Sequence, residues 1–202
     1  MVNITIKHLA AVIAVSLFIT TAATALADDV TDSVNEALQL YQDGKFTEAV
    51  NSLNYASQLI QQKKGASLES VMPAALSDWT AEEASSQAAG AAMFGGGVSA
   101  ERRYTKGEST SVKIQIVTDS PMLQAVMMMM GNPMFATSDG GKLETIGGQK
   151  AIVKLDAENK SGEIQIVVAN RFLVTLEGQE VVKDDLTAYA KAIDYAKLAA
   201  LP

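Results

Sequence analysis

The 202-residue chain contains no cysteine and one histidine, His8. Without thiols it forms no disulfide and has neither a thiolate nucleophile nor a cysteine ligand for zinc. It also holds only one long apolar run, residues 9–19, and Thr20, Thr21 and Thr24 interrupt its continuation. A membrane span needs about 20 continuous apolar residues, so this run is too short to be one. With Lys7 before it and Ala25-Leu26-Ala27 after it, the stretch reads as a secretory signal covering residues 1–27. Cleavage after Ala27 is expected to release a free chain into the periplasm or the medium, because no cysteine stands at the junction to receive a lipid.

Cleavage would also remove His8. The working chain would then lack imidazole as well as thiol, which excludes Ser-His-Asp and Cys-His catalysis and the usual zinc sites. A non-catalytic module without a cofactor is therefore expected. Its stability must come from a packed core, which the remaining roughly 175 residues are long enough to build. The net charge is −7, and losing Lys7 makes it −8. Such an acidic surface repels phosphate backbones and anionic lipid heads, so neither nucleic-acid binding nor membrane insertion after cleavage is expected. The small basic cluster Arg102, Arg103 and Lys106 reads as a solvated strand edge.

Residues 28–72 carry helical periodicity. Ser33 and Glu36 have capping-box spacing, Val34, Ala37, Leu38 and Tyr41 share a face, and Gly44 stops the first helix. Phe46, Ala49, Val50, Leu53, Ala56 and Leu59-Ile60 line the second, which is expected to end at Gly65. This antiparallel hairpin resembles a single tetratricopeptide repeat in the spacing of Tyr41, Gly44, Phe46, Ala49 and Ala56. One such repeat cannot bury its own apolar face, so the resemblance implies packing on the rest of the chain, on another copy or on a partner.

Residues 73–202 read as an α+β sandwich domain. An Ala/Gly/Ser/Glu-rich stretch at 81–97 predicts a short helix or ordered loop, broken by the glycines at 95–97. Val112, Ile114 and Ile116 alternate with Lys113 and Gln115, which predicts a strand with one covered face. Ser120-Pro121 opens a helix that runs to Gly131. Strands follow at 142–146, 151–156, 163–169 and 172–177, with short links that predict an antiparallel meander. Asp184-Asp185 opens a final helix ending near Pro202. The fold class is thus α+β: an N-terminal antiparallel helical hairpin, then an antiparallel β-sheet with helices packed on one face. The second part resembles the small Mog1- and PsbP-like domains. Trp79 to Glu83, the Ala/Gly-rich segment 88–97 and Arg102 to Tyr104 resemble a family of exported bacterial proteins, a likeness that implies no particular activity.

The most unusual composition lies at Met122, Met127 to Met130 and Met134, with Met93-Phe94 elsewhere. Thioethers are adaptable core filler, and four in a row point all around a helix. They also suit an apolar groove, over which Met93 and Phe94 could close as a flap, and they are soft ligands for Cu(I). Candidate ligand-binding residues are accordingly Met93, Phe94, Met122, Met127, Met130 and Met134. The carboxylate pairs Glu82-Glu83 and Asp184-Asp185 fit helix starts better than acid-base work, since adjacent helical residues do not face each other. Trp79 reads as a core anchor, and Asn159-Lys160-Ser161 as an incidental glycosylation pattern at a hairpin tip. Function is expected to lie in protein contact or self-association through the hairpin, with carriage of an apolar small molecule as the alternative and copper binding as a lesser one.

Overall fold

A computed structural model describes residues 28–88, 97–132, 134 and 140–202. It opens with the antiparallel helices α1 (Asp29–Gln42) and α2 (Phe46–Glu69). Asp28 caps α1, its carboxylate accepting from the Val30 N–H at 3.3 Å. Ser33, expected to be the cap, lies inside the helix, where its hydroxyl donates to the Asp29 carbonyl at 2.8 Å. An aspartate just ahead satisfies the free N–H groups of the first turn one turn sooner. Gly44 makes the interhelical turn at φ +76°, a conformation a residue without Cβ adopts cheaply.

α2 does not stop at Gly65. It continues for another turn, and the glycine provides space rather than an end: a Cβ there would overlap Ser86, whose own Cβ would lie 2.8 Å away. Ser86 belongs to a region expected as helix or loop, which instead forms β1 (Thr80–Ala81) and β2 (Ser85–Ala88). Both pair antiparallel with the outer edge of β3 (Val98–Lys106). The unpaired edge of β3 overrides the local helical composition, because its backbone donors and acceptors need partners.

Next come β4 (Thr110–Thr118), α3 (Pro121–Gly131), β5 (Lys142–Ile146), β6 (Gln149–Asp156), β7 (Ser161–Val168), β8 (Phe172–Gln179), α4 (Lys183–Ala192) and α5 (Tyr195–Ala199). Strands β5 to β8 form the expected meander, and β8 returns to pair with β4, so the sheet order is β1-β3-β4-β8-β7-β6-β5. The expected single last helix is two. Ile193 adopts an extended conformation between them, and Asp194 starts α5 by accepting from the Lys197 N–H at 2.9 Å.

The architecture is α+β, a helical hairpin followed by an antiparallel sheet, but the helices are not all on one face as expected: the end of α2 with α4 and α5 covers one face, and α3 lies on the other. The first face contributes Val98, Ala100 and Tyr104 from β3 and Val112, Ile114 and Ile116 from β4. They pack against Leu68, Val71 and Met72 at the end of α2 and against Leu186, Tyr189, Ala190 and Leu198 of α4 and α5. Each fully buried large aliphatic side chain stabilises by about 1.5–3 kcal/mol. α3 lies on the other face, where Leu123 and Val126 meet Ile152 and Leu173, residues that alternate away from the main core. Trp79 anchors the main core's rim, edge-on to Tyr189 at 5.1 Å between ring centroids.

Candidate functional site

Small side chains decide how the hairpin closes. Ser33 and Ala37 of α1 and Ala49 and Ala56 of α2 are buried, and they let the two helices approach closely. The hydrogen bond from the Ser52 hydroxyl to Glu36 Oε2, 2.9 Å, fixes the register. Large apolar residues one position further along each helix are rotated by about 100° away from this seam. Leu38 follows Ala37 and Val50 follows Ala49, and Tyr41, Phe46 and Leu53 lie one turn from them on the same sides; all five are more than half exposed, Leu38, Tyr41, Phe46, Val50 and Leu53 at 54%, 62%, 61%, 54% and 51%. The expected single face of Val34, Ala37, Leu38 and Tyr41 is thus split: alanine faces the partner helix and the other three face solvent.

Because the helices are antiparallel, the two rotated stripes fall on the same side of the hairpin. At the turn end Tyr41 meets Phe46, with ring centroids 5.6 Å apart. At the other end Val30 and Ile60 line one cleft of about 500 Å³, whose walls also include the charged Asp28, Lys63, Lys64, Asp119 and Arg171. The result is an apolar face running from Val30 and Ile60 to Tyr41 and Phe46. Residues one position further round are uncharged: Asn35, Gln39 and Gln42 on α1, Thr47, Asn51 and Asn54 on α2. The carboxylates of Asp32, Glu36 and Glu48 precede the seam residues by one position and therefore occupy the opposite side. The hairpin has one side that carries these carboxylates together with the exposed Tyr55, and one apolar side that is charged only at its foot.

Ion pairs hold the foot of the hairpin. Lys63 Nζ lies 2.9 Å from Asp28 Oδ2, and Lys64 Nζ lies 2.6 Å from Asp119 Oδ2. Asp119 sits at φ +56°, directly after β4. The hydrogen bond from Lys64 holds its carboxyl below the ordinary value of 3.8, against an opposing effect of partial burial. A carboxylate whose pKa is lower folded than unfolded stabilises the fold above the unfolded pKa and loses that contribution as pH falls through the folded value. Urea midpoints should therefore fall on acidification below about pH 4, and this acid limb should be shallower in Lys64→Met. An unchanged limb in the variant would show that the pair does not tie the hairpin down.

The methionines separate. Met127, Met129 and Met130 pack partly buried against the α3 core, whereas Met122, Met128 and Met134 are exposed. Met127 and Met130, one turn apart, border an open cleft of about 400 Å³ whose walls also include Gln149, Lys150 and Asn170. Met122 and Met134 are not among its lining residues. Met93 and Phe94 lie outside the described residues. Among the described residues, no three Asp or Glu side chains come together as a metal-holding group.

Other singled-out residues have structural partners. Arg102 is not on a solvated edge: it shares the covered face of β3 with Ala100 and Tyr104. Its guanidinium donates to the carbonyls of Glu82 (2.8 Å) and Pro73 (3.2 Å). Glu82 and Glu83 stand exposed between β1 and β2 rather than in a helix. Asp185 accepts from the Val182 N–H at 3.1 Å, which is the capping role expected of it.

The sequence reading named the apolar residues of the hairpin but missed that the larger ones face outwards. The available signal was size, since a small residue immediately precedes Leu38, Val50 and Leu53. Compared with family models, curated proteins and solved structures, the chain matches none.

Proposed function

We propose that the chain is an exported, non-catalytic accessory module that acts by protein–protein contact through the apolar face of its helical hairpin. The observation that carries this reading is the run of half-exposed Leu38, Tyr41, Phe46, Val50 and Leu53 on one side of two helices. Contiguous apolar patches of this kind on a soluble surface mark interaction sites. Export rests on the signal-like segment 1–27, and the absence of catalysis on the loss of His8 with that segment.

The hairpin outweighs the methionine cleft as a site because small-molecule pockets enclose most of their ligand. The cleft beside Met127 and Met130 is open and partly lined by polar side chains.

A photo-crosslinking amino acid placed at Leu38 in the producing cell tests the reading against the same probe at Glu48 on the acidic side. A discrete protein adduct from position 38 and none from position 48 is the expected result. Equal or absent labelling at the two positions would remove the hairpin face as the working surface.

A further inference from the structure

We infer that the partner seated on this face is a second copy of the chain, the two hairpins closing face to face into a four-helix bundle. The inference rests on the contact reading above and names its occupant. Three features of the face favour self-association.

The first is area. With five large side chains more than half exposed and Val34 and Ile60 at 43% and 45%, the stripe presents roughly 700 Å² per copy. That is close to the roughly 800 Å² per partner of a stable interface.

The second is charge. A chain of net charge −7 repels its own copy through most of its surface. Between Val34 and Gln42 on α1 and between Phe46 and Ile60 on α2 the residues of the apolar stripe and those flanking it outside the seam are uncharged, while Asp32, Glu36 and Glu48 lie on the other side. Two copies therefore meet here without bringing carboxylates together. The charged groups at the foot are engaged within the chain, Lys63 with Asp28, Lys64 with Asp119 and Arg171 with the Leu201 and Pro202 carbonyls, so neither a basic partner nor an anionic lipid surface meets a rim of free opposite charge of the kind that holds interfacial helices.

The third is the chemistry of the rim. Asn35, Gln39, Asn51 and Asn54 carry amides that both donate and accept. Such groups satisfy each other across a two-fold axis, where a patch must be complementary to itself. The small-residue seam within each hairpin and the large-residue layer between hairpins then reproduce the inside of an antiparallel bundle.

Sedimentation velocity on the exported protein across the micromolar range tests this. The expected result is a species of twice the chain mass. Leu38→Glu with Val50→Glu should weaken it on the order of 100-fold or more, with far-UV circular dichroism and Tm retained because both side chains already face solvent. Leu38→Ser with Val50→Ser is the milder pair should the first misfold. Asp32→Asn with Glu48→Gln on the acidic side should leave the dimer intact.

A chain that stays monomeric throughout the range, or a dimer that survives both hairpin pairs, overturns the second-copy assignment. A monomer that nevertheless gives a discrete adduct with a different protein at position 38 overturns it while leaving the contact reading in place. So does a monomer that floats with phosphatidylcholine vesicles, but that outcome removes the contact reading as well. A monomer with no adduct at position 38 sinks both.

Discussion

Replacing Tyr189 by alanine should remove about 3–5 kcal/mol of stability, the usual cost of emptying a fully buried aromatic site. The total stability of a domain of this kind is about 5–15 kcal/mol, so the variant should be partly unfolded at mild urea concentrations. Tyr189 is fully buried on α4. Its ring lies 4.4 Å from that of Tyr104 and 5.1 Å from Trp79, joining β3, α4 and the segment ahead of β1. Its hydroxyl accepts from the Leu76 N–H at 3.4 Å. Tyr189→Phe keeps the ring and loses only that long hydrogen bond, a cost of about 1 kcal/mol. Urea unfolding of the two variants separates packing from hydrogen bonding. If phenylalanine proved as damaging as alanine, the hydroxyl and not the ring would be the keystone.

Gly65→Leu should destabilise by about 2 kcal/mol, although leucine is the better helix former by about 1 kcal/mol. The cause is overpacking: the added side chain starts where Ser86 already stands, and a well-packed contact resists such insertion at a cost of about 1–3 kcal/mol. The decisive comparison is a pair. Gly65→Ala alone should lose stability, whereas Gly65→Ala combined with Ser86→Gly should recover it, because the serine side chain that blocks the methyl is gone. A recovery would show that α2 and β2 are in contact at this point. Two independent, additive losses would mean that the helix end docks elsewhere.

How far these features were legible in the sequence depends on whether their cause was local. The alternation of Val112, Ile114 and Ile116 specified β4 because a strand with one covered face imposes a period of two wherever it sits. Ser120-Pro121 specified the start of α3, and the Ser120 hydroxyl does accept from the Met122 N–H at 3.2 Å. What escaped was set by distant neighbours. β1 and β2 exist because β3 has an edge to cover, a demand invisible in Ser85 or Gln87 themselves. Arg102 looked like part of a surface basic cluster, yet its carbonyl partners at Glu82 and Pro73 come from segments twenty or more residues away. The candidate surface was half legible. Its apolar residues stood out by their spacing, but which of them would turn outwards depended on how closely the seam let two helices approach. The methionines misdirected for the opposite reason: a run of identical residues carries no periodicity, so only packing decides which of them meet the sheet.

The place of β8 has a consequence for how the molecule is made. This strand lies between β4 and β7, and its partners on one side are 54 to 68 residues earlier in the chain, Thr118 against Phe172 and Ser111 against Gln179. A nascent polypeptide that stops short of Phe172 holds two half-sheets with raw margins and nothing to join them. Closure of the sheet must wait until residues 172–179 have emerged, and any process acting on the shorter polypeptide meets it before the sheet can close.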